Sequence, residues 1–547
     1  MDRKTVSGKS AYGILCCAAG IFLFAAGIYI WFCSIGMCFG NDIWFDELFT
    51  VRFEEMTFSA MTGFAAKDVH PPLYYYLVKL FAPVFSFLTG ANRIAAIKLV
   101  SEIPYLILLI YSITLIRKQN GILTAGLFWF CILAMPQLTA YTVEARMYSF
   151  AMLFLTAMLL HGGRILLSKD QNAKDQNAKI QWVWFVIYGI CAAYTQYFAA
   201  VCAAIIYGLL LIGILIGEKE KRSVGLKCWG LGVLISIAAY LPWMAAFAGQ
   251  VGAVNNNYWI QPLTWRSLGG CIKYLCKPDF ESQTLNTVAA VVLFAAYVAI
   301  VIGMILTMIR YMKRGDRRKT QAAFVALWGA FLTAGLIGAG FLLSALIRPI
   351  FVYRYLIPAA GGFWLTFACG IGRIVDGEKK GTKYLTFLPG AISILLCAAI
   401  VLPIGIRDHH MFLWEEQKKM REMEHTQNVL REIPEDALLV CNFNQLQALM
   451  WYYLPKNESV LYGYTEETLI AGICGQDGIT MLSEADEIRD LAAAKDVLFL
   501  GTGAVREEIC ADWEASGMKV ETVEDSCLLE RYWFNIYRIT LEDAGER

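Results

Sequence analysis

The chain has 547 residues, of which 58% are hydrophobic, 14% aromatic and only 17% charged, against ~25% charged in an ordinary soluble domain. A water-soluble globule cannot hide that much apolar surface, so an integral membrane protein is expected, and the absence of any strongly basic soluble segment excludes a nucleic-acid binder. The net charge of +1 conceals a split: residues 1–406 hold 34 Lys+Arg and 18 Asp+Glu, whereas residues 407–547 hold 13 and 28. That break predicts two domains in different surroundings, a lipid-embedded body over 1–406 and a soluble acidic region over 407–547.

A spanning helix needs ~20 mostly apolar residues. Runs of that kind fall at about 11–39, 94–116, 121–138, 147–167, 182–198, 199–217, 225–248, 286–309, 321–346, 351–372 and 384–406, which predicts about eleven transmembrane helices. The first follows Arg3, Lys4 and Lys9; it is too long for a cleaved leader and reads as a signal anchor. Leu73–Leu88 is short and contains Lys79 and Pro83, so it reads as a juxtamembrane helix on the outer face. With eleven spans and a cytoplasmic amino terminus, the inner segments hold 23 basic residues and the outer ones 10, as the positive-inside rule requires. The duplicated Lys-Asp-Gln-Asn-Ala at 169–178 is a solvated cytoplasmic linker. Residues from about 408 then lie outside the cytoplasm. They open with an amphipathic helix bearing Glu415, Glu416, Lys418, Lys419 and Arg421, and continue through strand-like runs at Leu438–Val440, Val497–Leu500 and Phe534–Ile539. Strand alternating with helix predicts a small α/β domain.

Orientation gathers the costly polar residues on the outer side. The first outer loop, 40–93, carries Asp42, Asp46, Glu47, Glu54, Glu55, Asp68 and His70. Tyr141, Glu144, Arg146 and Tyr148 lie between the third and fourth spans, Arg348, Tyr353, Arg354 and Tyr355 before the tenth, and Lys98 and Glu102 near the outer end of the second. Ionisable groups at lipid depth are expensive and default to function; for Lys98 and Glu102 an i,i+4 salt bridge is the structural alternative. Carboxylates beside arginines at the lipid boundary suit a phosphate-bearing lipid: cations anchor the phosphate and a carboxylate takes a proton from a hydroxyl. Cys271 and Cys276, five apart, could form a disulfide, though free thiols fit the composition better, and His409 with His410 is too small a cluster to hold a metal.

Three motifs carry a family resemblance: Phe45-Asp46-Glu47-Leu48-Phe49-Thr50, then Asp68-Val69-His70-Pro71-Pro72-Leu73-Tyr74-Tyr75-Tyr76, then Glu144-Ala145-Arg146-Met147-Tyr148-Ser149. In this order they resemble the motifs of GT-C glycosyltransferases, in the protein O-mannosyltransferase-like and lipid A aminoarabinose transferase-like branch. Arg348-Pro349 with Tyr353-Arg354-Tyr355-Leu356-Ile357-Pro358 fits the same branch. The resemblance covers roughly residues 10–370. It implies a GT-C fold and a polyprenyl-phosphate sugar donor, with transfer by inverting displacement on the outer face to a lipid, glycan or protein acceptor. It assigns Asp46 as the general base and Glu47 as its partner. It places His70, Arg146, Tyr148, Glu144, Arg354 and Tyr355 around the donor phosphate, with Lys98 where the family has Arg-Leu-Pro-Ser. Gln196 stands where relatives have His between Thr and Tyr, so no metal or proton role passes to that position, and no cofactor is firmly implied. A bacterial plasma membrane is the implied location. A ligase using a diphosphate carrier and a lipid-linked-sugar flippase are the alternatives; the second would need charges along a central path and inverted repeats.

Overall fold

The computed structural model describes residues 3–40, 42–68, 70–168, 176–253, 260–377, 401–463 and 480–541. Residues 169–175 of the repeat and most of the 384–406 span fall outside the described residues. The chain forms two compact units, Met1–Gly40 with Thr57–Leu413, and Asn41–Met56 with Trp414–Arg547.

The helices in chain order are α1 (Arg3–Gly40), α2 (Phe45–Glu55), α3 (Phe58–Ala65), α4 (Leu73–Thr89), α5 (Arg93–Val100), α6 (Ile103–Tyr111), α7 (Arg117–Ala134), α8 (Ala140–Val143), α9 (Tyr148–Leu167), α10 (Gln176–Ala193), α11 (Tyr197–Ile216), α12 (Lys219–Ala253), α13 (Trp265–Cys276), α14 (Gln283–Lys313), α15 (Arg317–Ala326), α16 (Trp328–Leu346), α17 (Ile357–Gly377) and α18 (Leu402–Arg431). All but α2 and the later part of α18 belong to the first unit.

Eight helical stretches among the described residues are long and apolar enough to cross a membrane. One of them, Arg93–Ala134, has 42 residues, twice what one crossing needs. It is a hairpin: Gly121 sits at φ +86°, ψ 169°, a conformation that favours glycine. The geometry agrees, because Trp31 of α1 meets both Glu102 in the descending arm and Trp129 in the returning one. Lower down, α7 presses so close to α1 that a Cβ on Gly126 would collide with the Gly20 carbonyl. Two predicted spans, 94–116 and 121–138, are therefore the arms of one hairpin. The stretch predicted at 182–198 is the shorter apolar helix Ala178–Ala193.

The centre of this unit is α9 with α17, whose apolar stretches are almost wholly buried. Glycines let them touch: Gly361 faces Thr156, and Gly362 faces Leu159 and Gly329. Helix α4 has 17 residues, about 25 Å at 1.5 Å per residue, short of a ~30 Å hydrocarbon core. It buries Tyr74, Tyr75, Val78 and Ala82 and exposes Leu80, Phe81, Val84, Phe87 and Leu88. One packed face and one apolar outer face suit a helix lying at a lipid boundary.

The second unit is an α/β domain with strands β1 (Leu438–Cys441), β2 (Ser459–Tyr462), β3 (Met481–Leu482), β4 (Val497–Thr502), β5 (Met518–Leu529) and β6 (Tyr532–Leu541), and helices α19 (Asn444–Tyr453), α20 (Ala485–Ala492) and α21 (Val505–Ala515). The sheet order is β3-β2-β1-β4-β6-β5. β3, β2, β1 and β4 run parallel, and the β5–β6 hairpin adds two antiparallel strands. Every residue of β1 is buried, as expected for a parallel strand covered on both faces. On one face Leu438, Val440, Val460 and Phe499 pack with Ile488 of α20 and Trp513 of α21; α19 packs against β1 and β2.

Helix α2, from the first predicted outer loop, groups with this domain. The Asp42 carboxylate accepts hydrogen bonds from Tyr453 Oη at 2.6 Å and Gln427 Nε2 at 2.7 Å. Arg52 stacks on the Trp451 ring at 5.6 Å, and Arg531 on the Trp44 ring at 5.7 Å. Sequence periodicity alone could not reveal that attachment, because the partners lie ~400 residues apart.

Candidate functional site

In the first unit, three distant motifs meet around His70. Its Nδ1 lies 3.3 Å from Asp68 Oδ2. Burial pushes the imidazole pKa below its ordinary value; the nearby Arg146 and Arg354 push the same way, while Asp68 opposes them. The neutral ring is thereby favoured, held by a carboxylate and set in the field of two guanidinium groups.

Arg146 is only 4% exposed. Its Nη1 faces the Tyr75 hydroxyl at 3.5 Å, so the second motif holds the third. The backbone carries it there: α8 ends at Val143, Glu144 is extended at φ −77°, ψ 122°, and the Arg146 N–H returns to the Glu144 carbonyl at 2.8 Å. Lys98 is buried and its Nζ donates to the Val143 carbonyl at 3.4 Å. It thus ties α5 to the turn bearing Glu144 and Arg146. Glu102 instead accepts the Trp31 indole N–H at 2.7 Å; a turn at Ser101–Glu102 separates α5 from α6, so Lys98 and Glu102 do not share one regular helix.

Tyr148 is buried and packs edge-on against Tyr141 at 5.1 Å. The Tyr141 and Tyr274 hydroxyls are 2.5 Å apart. Tyr274 also lies in the fields of Glu144 and Arg354, and burial pushes its phenol pKa up. The motifs did not identify Tyr274; only the amphipathic character of the segment around it marks α13 as a helix with one packed face. Tyr355 stacks on Phe198 at 5.0 Å. Gln196 caps α11 by accepting the Ala199 N–H at 3.0 Å.

A cavity of about 300 Å³ adjoins this group. His70, Gln196, Gln250 and Tyr355 line it together with the apolar Phe198, Met244, Phe247 and Leu343.

In the second unit, Asp46 and Glu47 occupy the first turn of α2, where the helix dipole favours negative charge. Glu47 is buried, and its Oε2 accepts the Trp44 N–H at 3.1 Å, one half of a capping arrangement. Asp46 is half-buried and lies in the electrostatic field of Glu530, Arg531 and Tyr532 at the tip of the β5–β6 hairpin. None of these three carried a sequence signal; they are ordinary members of an acidic, aromatic tail. Cys271 and Cys276 are both buried free thiols in α13. Five residues apart on a helix, their side chains diverge by about 140°. Among the described residues no three His, Cys, Asp or Glu side chains gather so as to hold a metal ion.

The helical unit, with eight stretches among its described residues apolar and long enough to cross a membrane, and the α/β domain are those of a membrane protein of the GT-C fold. Among the solved structures it resembles is ArnT from Cupriavidus metallidurans. The apo form of ArnT matches with a TM-score of 0.59 and 12% identity, over 97% of this chain and 98% of that one. ArnT bound to undecaprenyl phosphate matches with a TM-score of 0.55 and 14% identity, over 96% and 99%. At such identities the likeness is one of fold. No protein-family model matches the chain, and no curated protein matches it in sequence.

Proposed function

We propose that the protein is a membrane glycosyltransferase that takes a sugar from a polyprenyl-phosphate carrier and attaches it to a hydroxyl of a lipid, glycan or protein acceptor on the outer face of a bacterial plasma membrane. The observation that carries this reading is the largely apolar cavity lined by His70, with Arg146 and Arg354 in the field of that ring. A prenyl chain fits the apolar wall, and Arg146 and Arg354, in the field of His70, suit a phosphate, for whose oxygens a desolvated guanidinium is a strong partner. The solved ArnT complex with undecaprenyl phosphate supports the same class of carrier.

The chemistry is a single displacement. The acceptor oxygen forms a bond to the anomeric carbon while the bond from that carbon to the phosphate oxygen breaks. The electron pair leaves on polyprenyl phosphate, whose new charge Arg146 and Arg354 of the first unit offset; the acceptor proton goes to a carboxylate base, the role the family resemblance assigns to Asp46. One base suffices, and the configuration inverts. Glu47, through the Trp44 cap, fixes the turn that presents Asp46; Glu144, Tyr148, Tyr355 and Lys98 shape and hold the phosphate end.

The test compares wild type with Asp46→Asn in detergent, using a panel of radiolabelled polyprenyl-phosphate sugars and an envelope lipid extract. Transfer by wild type, reduced ~10²–10⁴-fold in the variant, supports the reading. Equal rates remove Asp46 from the chemistry. A folded wild type that turns over no monophosphate donor favours a diphosphate carrier or transport.

A further inference from the structure

Helix α11 begins at the cavity. Its N-cap is Gln196, extended at φ −161°, ψ 141°, and Gln196, Tyr197, Phe198, Ala200 and Val201 all line the cavity wall. The helix has 20 residues, so the positive end of a long helix dipole lies at the cavity. The Gln196 side chain satisfies the Ala199 N–H; the Tyr197 and Phe198 N–H groups donate to nothing among the described residues.

Gln196 adds an independent sign of a ligand. It is only 3% exposed. Its Oε1 accepts the Ala199 N–H at 3.0 Å, which fixes the orientation of the amide, because a nitrogen placed there would face another donor. Nε2 has no hydrogen-bond partner among the described residues and is not one of the fully shielded atoms, so it opens on the cavity that the residue lines. An amide nitrogen so far removed from water is costly without an acceptor. His70 lines the same cavity, and the Leu73 N–H donates to the Tyr194 carbonyl at 3.1 Å, joining the His70 loop to the turn before α11. A polyprenyl chain offers Nε2 no acceptor; a phosphate offers several.

We propose that the phosphate of a polyprenyl-phosphate carrier docks at the N-terminus of α11, where Gln196 Nε2 donates to one of its oxygens. The assignment rests on the reading of this cavity as the carrier site. The two ends of one amide then divide the work: the oxygen caps the helix and the nitrogen holds the ligand. A neutral donor at a helix N-terminus favours phosphate without adding a charge that must stay desolvated in the empty cavity.

The experiment measures equilibrium binding of radiolabelled polyprenyl phosphate in detergent, for wild type, Gln196→Ser and Gln196→Glu, from about pH 8 to about pH 5. Serine keeps a good N-cap and lacks the amide; glutamate keeps the capping oxygen and replaces the donor with an acceptor. Both variants should therefore melt near wild type. Gln196→Ser is expected to bind the carrier at least ~10-fold more weakly, as for a lost hydrogen bond to a charged group, by a similar factor at every pH. Gln196→Glu is expected to bind more weakly still at alkaline pH, and its deficit relative to wild type should shrink as pH falls, because the protonated carboxyl regains a donor. Inorganic phosphate in large molar excess should not displace the carrier; displacement would assign the site to free phosphate and overturn the proposal. Wild-type affinity in Gln196→Ser, or in Gln196→Glu at every pH, makes the side chain a helix cap only; it overturns the proposal and leaves the carrier reading standing. A folded wild type that binds no polyprenyl phosphate overturns both.

Discussion

The two units differ in the charges they bury. Among the described residues the helical unit buries charges of both signs, Arg146 and Lys98 with Asp68, Glu102 and Asp408, and Arg146 lies in the field of an imidazole whose pKa burial lowers. The α/β unit buries carboxylates, Glu47 and Glu530, and half-buries Asp42 under two hydrogen bonds. A buried charge is tolerable only where it is paired or where a bound group will pair it. The charge split visible in the sequence, a basic body and an acidic tail, is the coarse form of this division.

Four perturbations would break or sharpen that contrast. The largest effect is expected from Asp46→Asn, whose transfer rate falls ~10²–10⁴-fold while carrier binding persists. Next, Trp513→Ala empties the buried centre of the α/β core, at a cost of ~3–5 kcal/mol. Thermal unfolding should show early loss of sheet signal with the helical signal retained; coincident loss of both would mean the units are not separable in stability. Arg146→Ala weakens binding of polyprenyl phosphate by ~1.5–3 kcal/mol, and Arg146→Lys recovers only part of this because the planar fork is lost. The smallest effect is expected from Tyr453→Phe. It removes one hydrogen bond to Asp42, worth ~1 kcal/mol, and should increase proteolytic cleavage within Asn41–Met56 without altering carrier affinity.

The imidazole gives the contrast a pH signature. The His70 pKa is lowered in the free protein, so the ring is neutral at neutral pH. A bound phosphate favours the charged ring and raises that pKa. Carrier affinity should therefore rise as pH falls through the region of His70 titration. In His70→Gln that dependence should flatten, and isothermal titration across pH 5–8 would show it.

Much of the fold was legible because its signals are local. The strand-like runs at Leu438, Val497 and Phe534 fall within β1, β4 and β6, since buried apolar runs between turns have few other uses. β2, β3 and β5 went unread: β3 has two residues, and β5 is largely polar at an edge. Leu73–Leu88 differs from the observed helix by one residue. The candidate site was legible in part. Motif order nominated Asp46, His70, Arg146 and Arg354, and the fields at His70 link the last three. Tyr274 was not legible, because its importance comes from burial and from a partner more than 100 residues away. Nor could a linear reading attach Asp42 to Gln427 and Tyr453.

The most direct test of the division of labour measures two quantities on the same preparations: equilibrium binding of radiolabelled polyprenyl phosphate, and sugar transfer, for wild type, Asp46→Asn and Arg146→Ala. The account predicts that Asp46→Asn binds the carrier as wild type does and transfers almost nothing, whereas Arg146→Ala loses carrier affinity. Loss of carrier affinity in Asp46→Asn, or wild-type binding in Arg146→Ala, would contradict it.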